Sequence, residues 1–280
     1  MAEFLSLEEA ISRYVEDGAT VALEGFTHLI PYAAGHEIIR QGRRELTLMR
    51  MTPDILYDQM IGMGCARKLI FSWGGNPGVG SLHRMRDAVE HGYPRPLELL
   101  EHSHAAMAQA YEAGAAGLPL AVMRGYIGSD LPQVNPDIRH IECPFSGEKL
   151  AAIPSNRPDV AIIHAQKADR AGNVLVEGII GVQKEAVLAA RVALVTVEER
   201  VDELDTHPNA CVLPGWTIDA ISVVPRGAWP SYAHGYYARD NGFYKRWDAI
   251  ARDREAFAAW MREHVLELQS AELSTTGSPS

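Results

Sequence analysis

The chain of 280 residues carries 26 Lys and Arg against 36 Asp and Glu, a formal net charge of −10, and 47% of its residues are hydrophobic. This length and hydrophobic fraction suffice for a large buried core. The acidic excess argues against a general binder of nucleic acid or of anionic membranes, because either function requires a broad basic face. The three cysteines are widely separated, so they indicate neither a disulfide framework nor a thiolate zinc site.

The first residues contain acidic side chains and lack the basic and then apolar pattern of a secretion signal. No apolar run approaches the roughly 18 residues that a membrane-spanning helix needs. We therefore expect a cytoplasmic protein with no membrane partner.

Apolar periodicity and cap signals predict alternating helices and strands. The first helix begins with the capping-box spacing of Ser6 and Glu9 and ends before Asp17 and Gly18. Helices are predicted at residues 7–15, 31–42, 53–62, 82–91, 182–190 and 244–268, and strands at residues 20–25, 46–51, 68–73, 118–123, 159–165 and 191–199. These strands are apolar at nearly every position, which is typical of a sheet buried on both faces. We predict an α/β fold with an open, mainly parallel sheet flanked by helices, as one domain over residues 1–269 with a disordered tail at 270–280.

Three loops follow predicted strands and therefore lie at the carboxyl edge of such a sheet, where ligands collect. They are the segments 24–31, 74–81 and 164–173. The glycine-rich loop 74–81 precedes a helix, so its amides could hold an anion, although it lacks the lysine of a nucleotide-binding P-loop and has His83 where a dinucleotide fingerprint requires glycine. We expect His164 to leave the core at this edge with Gln166 beside it, either as functional residues or as hydrogen-bonded structural ones.

The segment "LLEHSHAAMAQAYEAGAAGLP", residues 99–119, places Glu101, His102 and His104 at the start of a helix. Two histidines separated by two positions lie on nearly opposite sides of a helix, and the sequence offers no third ligand, so we predict no metal site. Glu101 and His104 are candidates for acid and base catalysis or substrate contact, against the alternative of a solvated helix start. With no GxSxG segment for a serine nucleophile, the residues alone indicate an α/β protein with an anion or carboxylate pocket.

Five segments together resemble the α chain of family I CoA-transferases, and in particular the glutaconate CoA-transferase branch. They are "GFTHLIPYAAGHEIIRQGRRELT", "PFSGEKLAAIP", "PDVAIIHAQKADRAGNV", "LPGWTIDAISVVPRGAWPS" and "YYARDNGFYKRWDAIARDREAF". They occur in the order found in that branch, and the resemblance spans roughly residues 5–268.

This resemblance implies that the chain pairs with a CoA-transferase β subunit, commonly as α2β2, with the active site at their junction. A β-subunit glutamate attacks the acyl-CoA thioester and then carries CoA as a glutamyl-CoA thioester to an acceptor acid. A coenzyme A thioester and a carboxylic acid are thus the expected substrates, and no permanently bound cofactor is expected. The α chain contributes substrate contacts, which the resemblance assigns to Gly25, Phe26, Thr27, Trp73, Gly74, Gly75, Asn76, His164 and Gln166; the position of His28 adds it to this set.

The sequence departs from the family pattern at two positions. Glu24 stands where the family has the first of two glycines, which disfavours a dicarboxylate if its carboxylate points into the pocket. His104 stands where many members carry glutamine, and histidine titrates where glutamine does not.

Two alternatives to CoA transfer therefore remain open. In one, the same scaffold acts as an acyl-CoA hydrolase that cleaves a carbon–carbon bond, or as a decarboxylase, with Glu101 or His104 as base. In the other, the chain is a ligand-binding protein without catalytic activity.

Overall fold

The computed structural model describes residues 2–208 and 210–267, so the predicted tail at 270–280 lies outside the described residues. Its strands are β1 (Glu3–Phe4), β2 (Thr20–Glu24), β3 (Leu46–Arg50), β4 (Ala66–Phe71), β5 (Glu98–Glu101), β6 (Leu120–Met123), β7 (Arg139–Glu142), β8 (Lys149–Pro154), β9 (Val160–Ala168), β10 (Val174–Val176), β11 (Val192–Arg200), β12 (Cys211–Leu213) and β13 (Ala220–Val223). Its α-helices are α1 (Leu7–Tyr14), α2 (Tyr32–Arg40), α3 (Ile55–Gly62), α4 (His83–His91), α5 (His104–Ala115), α6 (Leu131–Val134), α7 (Gln183–Ala189), α8 (Asn241–Arg252) and α9 (Arg254–Met261).

The main sheet has the strand order β1-β13-β11-β9-β2-β3-β4-β5, and every neighbouring pair in this order is parallel. The antiparallel strands β10 and β12 join it through β9. Strand order reverses between β2 and β9, because the chain first builds outward from β2 to β5 and then returns to build from β9 to β13. The chain therefore leaves β2 and β9 toward opposite sides of the sheet, and the loops after these two strands leave a crevice between them at the carboxyl edge.

A smaller antiparallel sheet, β6-β8-β7, packs against α5. The helix contributes only small side chains to this contact, Ala106, Ala110 and Ala113, and the sheet contributes Met123 and Ile153. Small residues let helix and sheet approach closely, so the alanine-rich segment that follows His104 serves packing.

An aromatic cluster anchors α8 and α9 to the body of the molecule. Trp247 is fully buried, its indole N–H donates to Asp58 Oδ2 of α3 at 3.0 Å, and its ring packs edge-on against Trp260 and Phe257. This anchor fixes the direction from which the start of α8 approaches the carboxyl edge of the sheet.

The structure confirms the alternation of helices and strands and the capping box of α1, in which Glu9 N–H donates to Ser6 Oγ and Ser6 N–H to Glu9. The single helix predicted at 244–268 is wrong. It is interrupted at Asp253, whose carboxylate caps the N-terminus of α9 by accepting the Ala256 N–H, and it continues as a π-helical turn at Arg262–Leu266. Within residues 2–208 and 210–267, every helix is too short or too polar to cross a lipid bilayer.

Gly114 in α5 gives a stability test in which two effects have opposite signs. Helix propensity alone favours Gly114→Ala by about 0.5–1 kcal/mol. A Cβ at this position would lie 2.0 Å from the backbone oxygen of Asn156 and 3.0 Å from Ala189 Cβ. We expect urea denaturation to show that Gly114→Ala lowers the free energy of unfolding by about 2 kcal/mol.

The exposed Gly242 in α8 supplies the control, because the atoms nearest to its Cβ position are the ends of the Arg246 and Asp240 side chains. Gly242→Ala should change the free energy of unfolding by no more than about 0.5 kcal/mol. A stabilised Gly114→Ala protein would contradict the close approach of α5 to the backbone at Asn156.

Candidate active site

A cavity of about 330 Å³ lies at the carboxyl edge of the main sheet, above β2, β3, β4 and β5. Loops that follow these strands and the start of α8 line it. Its lining residues are Phe26, Thr27, Ile30, Arg50, Thr52, Asp54, Trp73, Pro77, His104, Arg239 and Tyr244. The lining combines aromatic and apolar side chains with a few charged groups, as ligand sites do.

The loop after β2 turns sharply under this cavity. A Cβ on Gly25 would lie 2.7 Å from the Leu29 carbonyl oxygen and 2.9 Å from that of His28, so only glycine fits there. Thr27 and Leu29 adopt the left-handed region, at φ 59° and 52°. A β-branched residue in this region is strained, and such strain concentrates at functional sites. The strained turn presents the exposed Thr27 to the cavity.

Arg50, the last residue of β3, is a buried cation in the cavity wall. Its guanidinium donates from Nη1 to Asp54 Oδ1 at 2.9 Å and from Nη2 to the Gly25 carbonyl at 2.7 Å. Among the described residues, Arg50 Nε and Asp54 Oδ2 are buried and lack a hydrogen-bond partner. Because buried polar atoms are nearly always paired, these two atoms mark unfilled hydrogen-bonding capacity in the cavity wall.

Arg239 adds a second guanidinium from a distant part of the chain. It is partly buried, lies over the Tyr244 ring at 3.7 Å from the ring centroid, and donates to the Pro77 carbonyl at 3.1 Å. Tyr244 is held in turn by a hydroxyl contact of 3.3 Å to Tyr32. Two arginines thus line one small cavity, an arrangement suited to a ligand with a carboxylate.

Glu24 lies behind Arg50 rather than in the cavity. Its carboxyl oxygen Oε1 accepts the Tyr111 hydroxyl at 2.9 Å and the Met51 N–H at 3.1 Å, and the residue is 2% exposed. Burial raises the pKa of Glu24 to about 7, against the opposing effects of the Arg50 charge and these hydrogen bonds. The Glu24 carboxylate therefore does not point into the cavity, although its charge still acts on Arg50.

The candidate base His104 lies in the cavity lining and Glu101 does not. His104 is the first residue of α5, directly after the N-cap Ser103, whose hydroxyl accepts the Ala106 N–H. Glu101 ends β5 with an exposed side chain, and its carbonyl accepts a hydrogen bond from Asn135. His102 is buried beside Tyr126 and Asn135, so it and His104 do not converge.

The glycine-rich loop 74–81 forms a tight turn in which four of the amides are already used. The amides of Gly75, Asn76, Val79 and Gly80 all donate to backbone carbonyls. Asn76 is buried and donates its side-chain amide to the Tyr244 carbonyl at 2.7 Å, which ties this loop to α8. Trp73 and Pro77 line the cavity, whereas Gly74, Gly75 and Asn76 support it from outside the lining.

His164 does not leave the core at the sheet edge as expected, because β9 continues to Ala168 and carries it inside the sheet. Its Nε2–H donates to Glu198 at 2.7 Å and its Nδ1 accepts from Thr196 at 2.8 Å, both on the neighbouring β11. Burial lowers the pKa of the His164 imidazole. The loop predicted at residues 164–173 is wrong over its first half, where the structure has the end of β9. The imidazole of His164 can stay inside this strand because Thr196 and Glu198 satisfy its two nitrogens.

Gln166 and His28 are also buried outside the cavity lining. Gln166 exchanges hydrogen bonds with the backbone of Glu177. His28 Nε2 accepts the His234 N–H at 3.0 Å and its Nδ1 contacts the Ile179 carbonyl at 3.3 Å, while burial lowers the pKa of His28 to about 4. The substrate roles expected for both residues stay predictions.

The sequence did not single out Arg50, Asp54 or Arg239. An arginine near the end of the apolar strand "LTLMRM" was a usable signal for Arg50, because a charge in a buried strand must find a partner. Arg239 gave no comparable signal, since nothing local places α8 above β3. The described residues contain no group of three His, Cys, Asp or Glu side chains that could hold a metal ion.

Comparison with known proteins identifies the family. The family model for Coenzyme A transferase matches residues 4–223. The α subunit of 3-oxoadipate CoA-transferase from Pseudomonas knackmussii is 68% identical over 95% of this chain and 94% of that protein. The α subunit of glutaconate CoA-transferase from Acidaminococcus fermentans is 33% identical over 96% of this chain and 89% of that protein.

Solved structures agree. The crystal structure of glutaconate coenzyme A-transferase from Acidaminococcus fermentans matches with a TM-score of 0.90 at 32% identity, covering 99% of this chain and 93% of that chain. The decarboxylase AibA/AibB matches with a TM-score of 0.81 at 30% identity, covering 93% of this chain and 98% of that chain. The predicted open, mainly parallel α/β fold is confirmed, and the chain belongs to the coenzyme A transferase family as one of its α subunits.

Proposed function

We propose that this chain is the α subunit of a two-subunit enzyme that transfers CoA between a dicarboxylic acyl-CoA and a 3-oxo dicarboxylic acid such as 3-oxoadipate. The observation that carries this proposal is the pair of guanidiniums, Arg50 and Arg239, in one cavity with a largely apolar and aromatic lining. The name of the 68% identical relative supports the choice of acid. A distal carboxylate needs such cations, because it loses hydration on entering a cavity with apolar walls.

In this proposal the chain binds and orients the acyl group. Arg239 and Arg50 hold the distal carboxylate, and Phe26 and Trp73 cover the carbon chain. The thioester end then faces the open mouth of the cavity, where the β subunit docks. Holding the distal end at fixed points aligns the reacting carbonyl with a nucleophile on the partner, which removes much of the entropic cost of that encounter.

The covalent steps fall to a glutamate of the β subunit. Its carboxylate attacks the thioester carbonyl, which gives an acyl-glutamyl anhydride and CoA thiolate. The thiolate attacks the glutamyl carbonyl and releases the donor acid, which leaves a glutamyl-CoA thioester. The acceptor carboxylate attacks the glutamyl-CoA carbonyl, which gives a second acyl-glutamyl anhydride and CoA thiolate. The thiolate then attacks the acyl carbonyl of this anhydride, which releases the acceptor as its CoA thioester and restores the glutamate carboxylate. We place the enzyme in the cytoplasm as an α2β2 assembly without a resident cofactor.

Trapping the thioester tests the proposed transfer directly. The chain is co-expressed with its β subunit, the complex is incubated with a dicarboxylic acyl-CoA and then treated with borohydride, which reduces an enzyme-bound thioester. We expect loss of activity and a reduced glutamate in the β subunit by mass spectrometry, both prevented by adding 3-oxoadipate before the borohydride. An active complex in which no thioester can be trapped would contradict the proposed transfer mechanism.

Removing the Arg239 charge tests the carboxylate contact. Because a hydrogen bond to a charged group contributes about 1.5–3 kcal/mol, Arg239→Gln should raise the KM for 3-oxoadipate by about tenfold or more. The 3-oxo acid of equal length without the distal carboxyl group should show little change. Arg246→Gln in α8, which begins two residues after Arg239, is the control, since the Arg246 side chain is 63% exposed and lies outside the cavity lining. Equal effects of Arg239→Gln on both acids would contradict the assignment.

A decarboxylase or hydrolase reaction on the same scaffold is a second candidate, because His104 places an imidazole in the cavity where transfer through a β-subunit glutamate requires none. Loss of a catalytic base lowers the reaction rate by at least about tenfold, which corresponds to about 1.4 kcal/mol, so the rate of His104→Gln distinguishes the second candidate from CoA transfer. We expect CoA transfer to fall by much less than tenfold in steady-state assays, with His91→Gln, on the exposed face of α4, as control. A larger loss with an altered pH profile would favour the second candidate.

A further inference from the structure

Glu24 and Arg50 form one buried electrostatic unit behind the cavity. The end of β2 supplies Glu24 and then the Gly25 carbonyl, which accepts from Arg50 Nη2 at 2.7 Å. Met51, directly after Arg50, donates its N–H to Glu24. The two side chains are therefore tied to the same pair of adjacent backbone segments, and neither is free to move away from the other.

Charged and titratable groups from three neighbouring elements act on Glu24. Arg50 comes from the end of β3, Tyr57 from α3 and Tyr111 from α5, while Asp54 at the start of α3 is bound to Arg50. With both Glu24 and Asp54 ionised, these groups sum to one negative charge; with Glu24 protonated they are neutral. The pKa of Glu24, raised by burial to about 7, allows both states near neutral pH.

We propose that Glu24 is a positioning residue that controls how strongly Arg50 attracts a substrate carboxylate, so that binding of this carboxylate is coupled to protonation of Glu24. This inference rests on the proposed function, because it requires a carboxylate in the cavity. It goes beyond that function by assigning specificity to a residue that touches no substrate.

The direction of the coupling follows from Coulomb's law. A carboxylate that enters beside Arg50 adds a negative charge to a site of low dielectric constant and thereby favours the neutral form of Glu24. The substrate therefore raises the proton affinity of Glu24, and by reciprocity the ionised Glu24 lowers the affinity for the substrate. The affinity for a dicarboxylic acid is therefore highest at pH values below the pKa of Glu24 and falls as the pH rises through this pKa.

Substitution of the carboxyl group by its isosteric amide gives the test, carried out on the complex with the β subunit. In Glu24→Gln, the amide oxygen can still accept from Met51 and Tyr111, while no proton can be released. We expect the wild-type KM for 3-oxoadipate to rise about tenfold between about pH 6 and about pH 8, and the Glu24→Gln value to stay within about twofold of the wild-type value at low pH. Glu37→Gln, which changes a buried glutamate of α2 paired with Arg40, should follow the wild-type profile.

Tyr111→Phe should shift the pH dependence of KM, which would not change if Glu24 had only a structural role. The Tyr111 hydroxyl stabilises the ionised carboxylate of Glu24 and so lowers its pKa. Without this hydroxyl, the pH at which KM rises should shift upward, and Tyr111→Phe combined with Glu24→Gln should show no such rise. Calorimetric titration of 3-oxoadipate in two buffers of different ionisation enthalpy should show proton uptake by the wild type and none by Glu24→Gln.

The possible outcomes separate this inference from the proposed function. If the complex transfers CoA to 3-oxoadipate but Glu24→Gln keeps the wild-type pH profile, the role of Glu24 is wrong and the function stands. If the 3-oxo acid without a distal carboxyl group shows the same pH dependence, the coupling does not act through that carboxylate and the inference is likewise wrong. Absence of CoA transfer by the wild-type complex contradicts the proposed function itself.

Discussion

The buried guanidinium of Arg50 is the constraint around which the site is organised. A charge at the end of a fully buried strand is costly unless it is paired. A sharp turn directly after β2 brings the Gly25 carbonyl to Arg50. Asp54, the N-cap of α3, binds Arg50 and also accepts the Leu56 N–H. Strand, turn and helix start therefore fix one another. The strained conformation of Thr27 belongs to the same turn.

Strand order then determines which loops meet above this unit. The reversal between β2 and β9 places the loops after β2, β3, β4 and β5 on one side of the crevice, and these loops line the cavity. The return half of the sheet contributes through α8 instead, which the Trp247 indole anchors on α3. On β9, His164 links this strand to β11, and Gln166 bonds to the backbone of Glu177 directly after β10. The cavity thus has a charged floor, an aromatic rim and an open mouth.

Local sequence patterns were sufficient for most of the helices, for six of the strands and for two of the three loops at the carboxyl edge, whereas β1, β5, β7, β8, β10, β12 and β13 were not predicted. The capping box of α1 and the turn after β2, which accommodates only glycine at position 25, depend on residues a few positions apart, so a local pattern is enough to predict them. The prediction failed where neighbours in space decided the outcome. Asp253 interrupts a continuous amphipathic pattern by capping a new helix. The strand β9 extends beyond its predicted end, because Thr196 and Glu198 on β11 provide hydrogen-bond partners for the buried His164.

The sequence by itself determined the fold class, the family and the approximate position of the site, because periodicity, caps and ordered motifs are properties of contiguous residues. Only the tertiary structure decided which charges share the cavity. Arg50 and Arg239 lie far apart in the chain and meet because strand order and the anchored helix α8 bring them together. The state of Glu24 depends equally on folding, because its pKa rises only when α5 and β3 enclose it. Burial and proximity, which no local pattern encodes, place the Glu24 carboxyl group next to the arginine in the cavity wall.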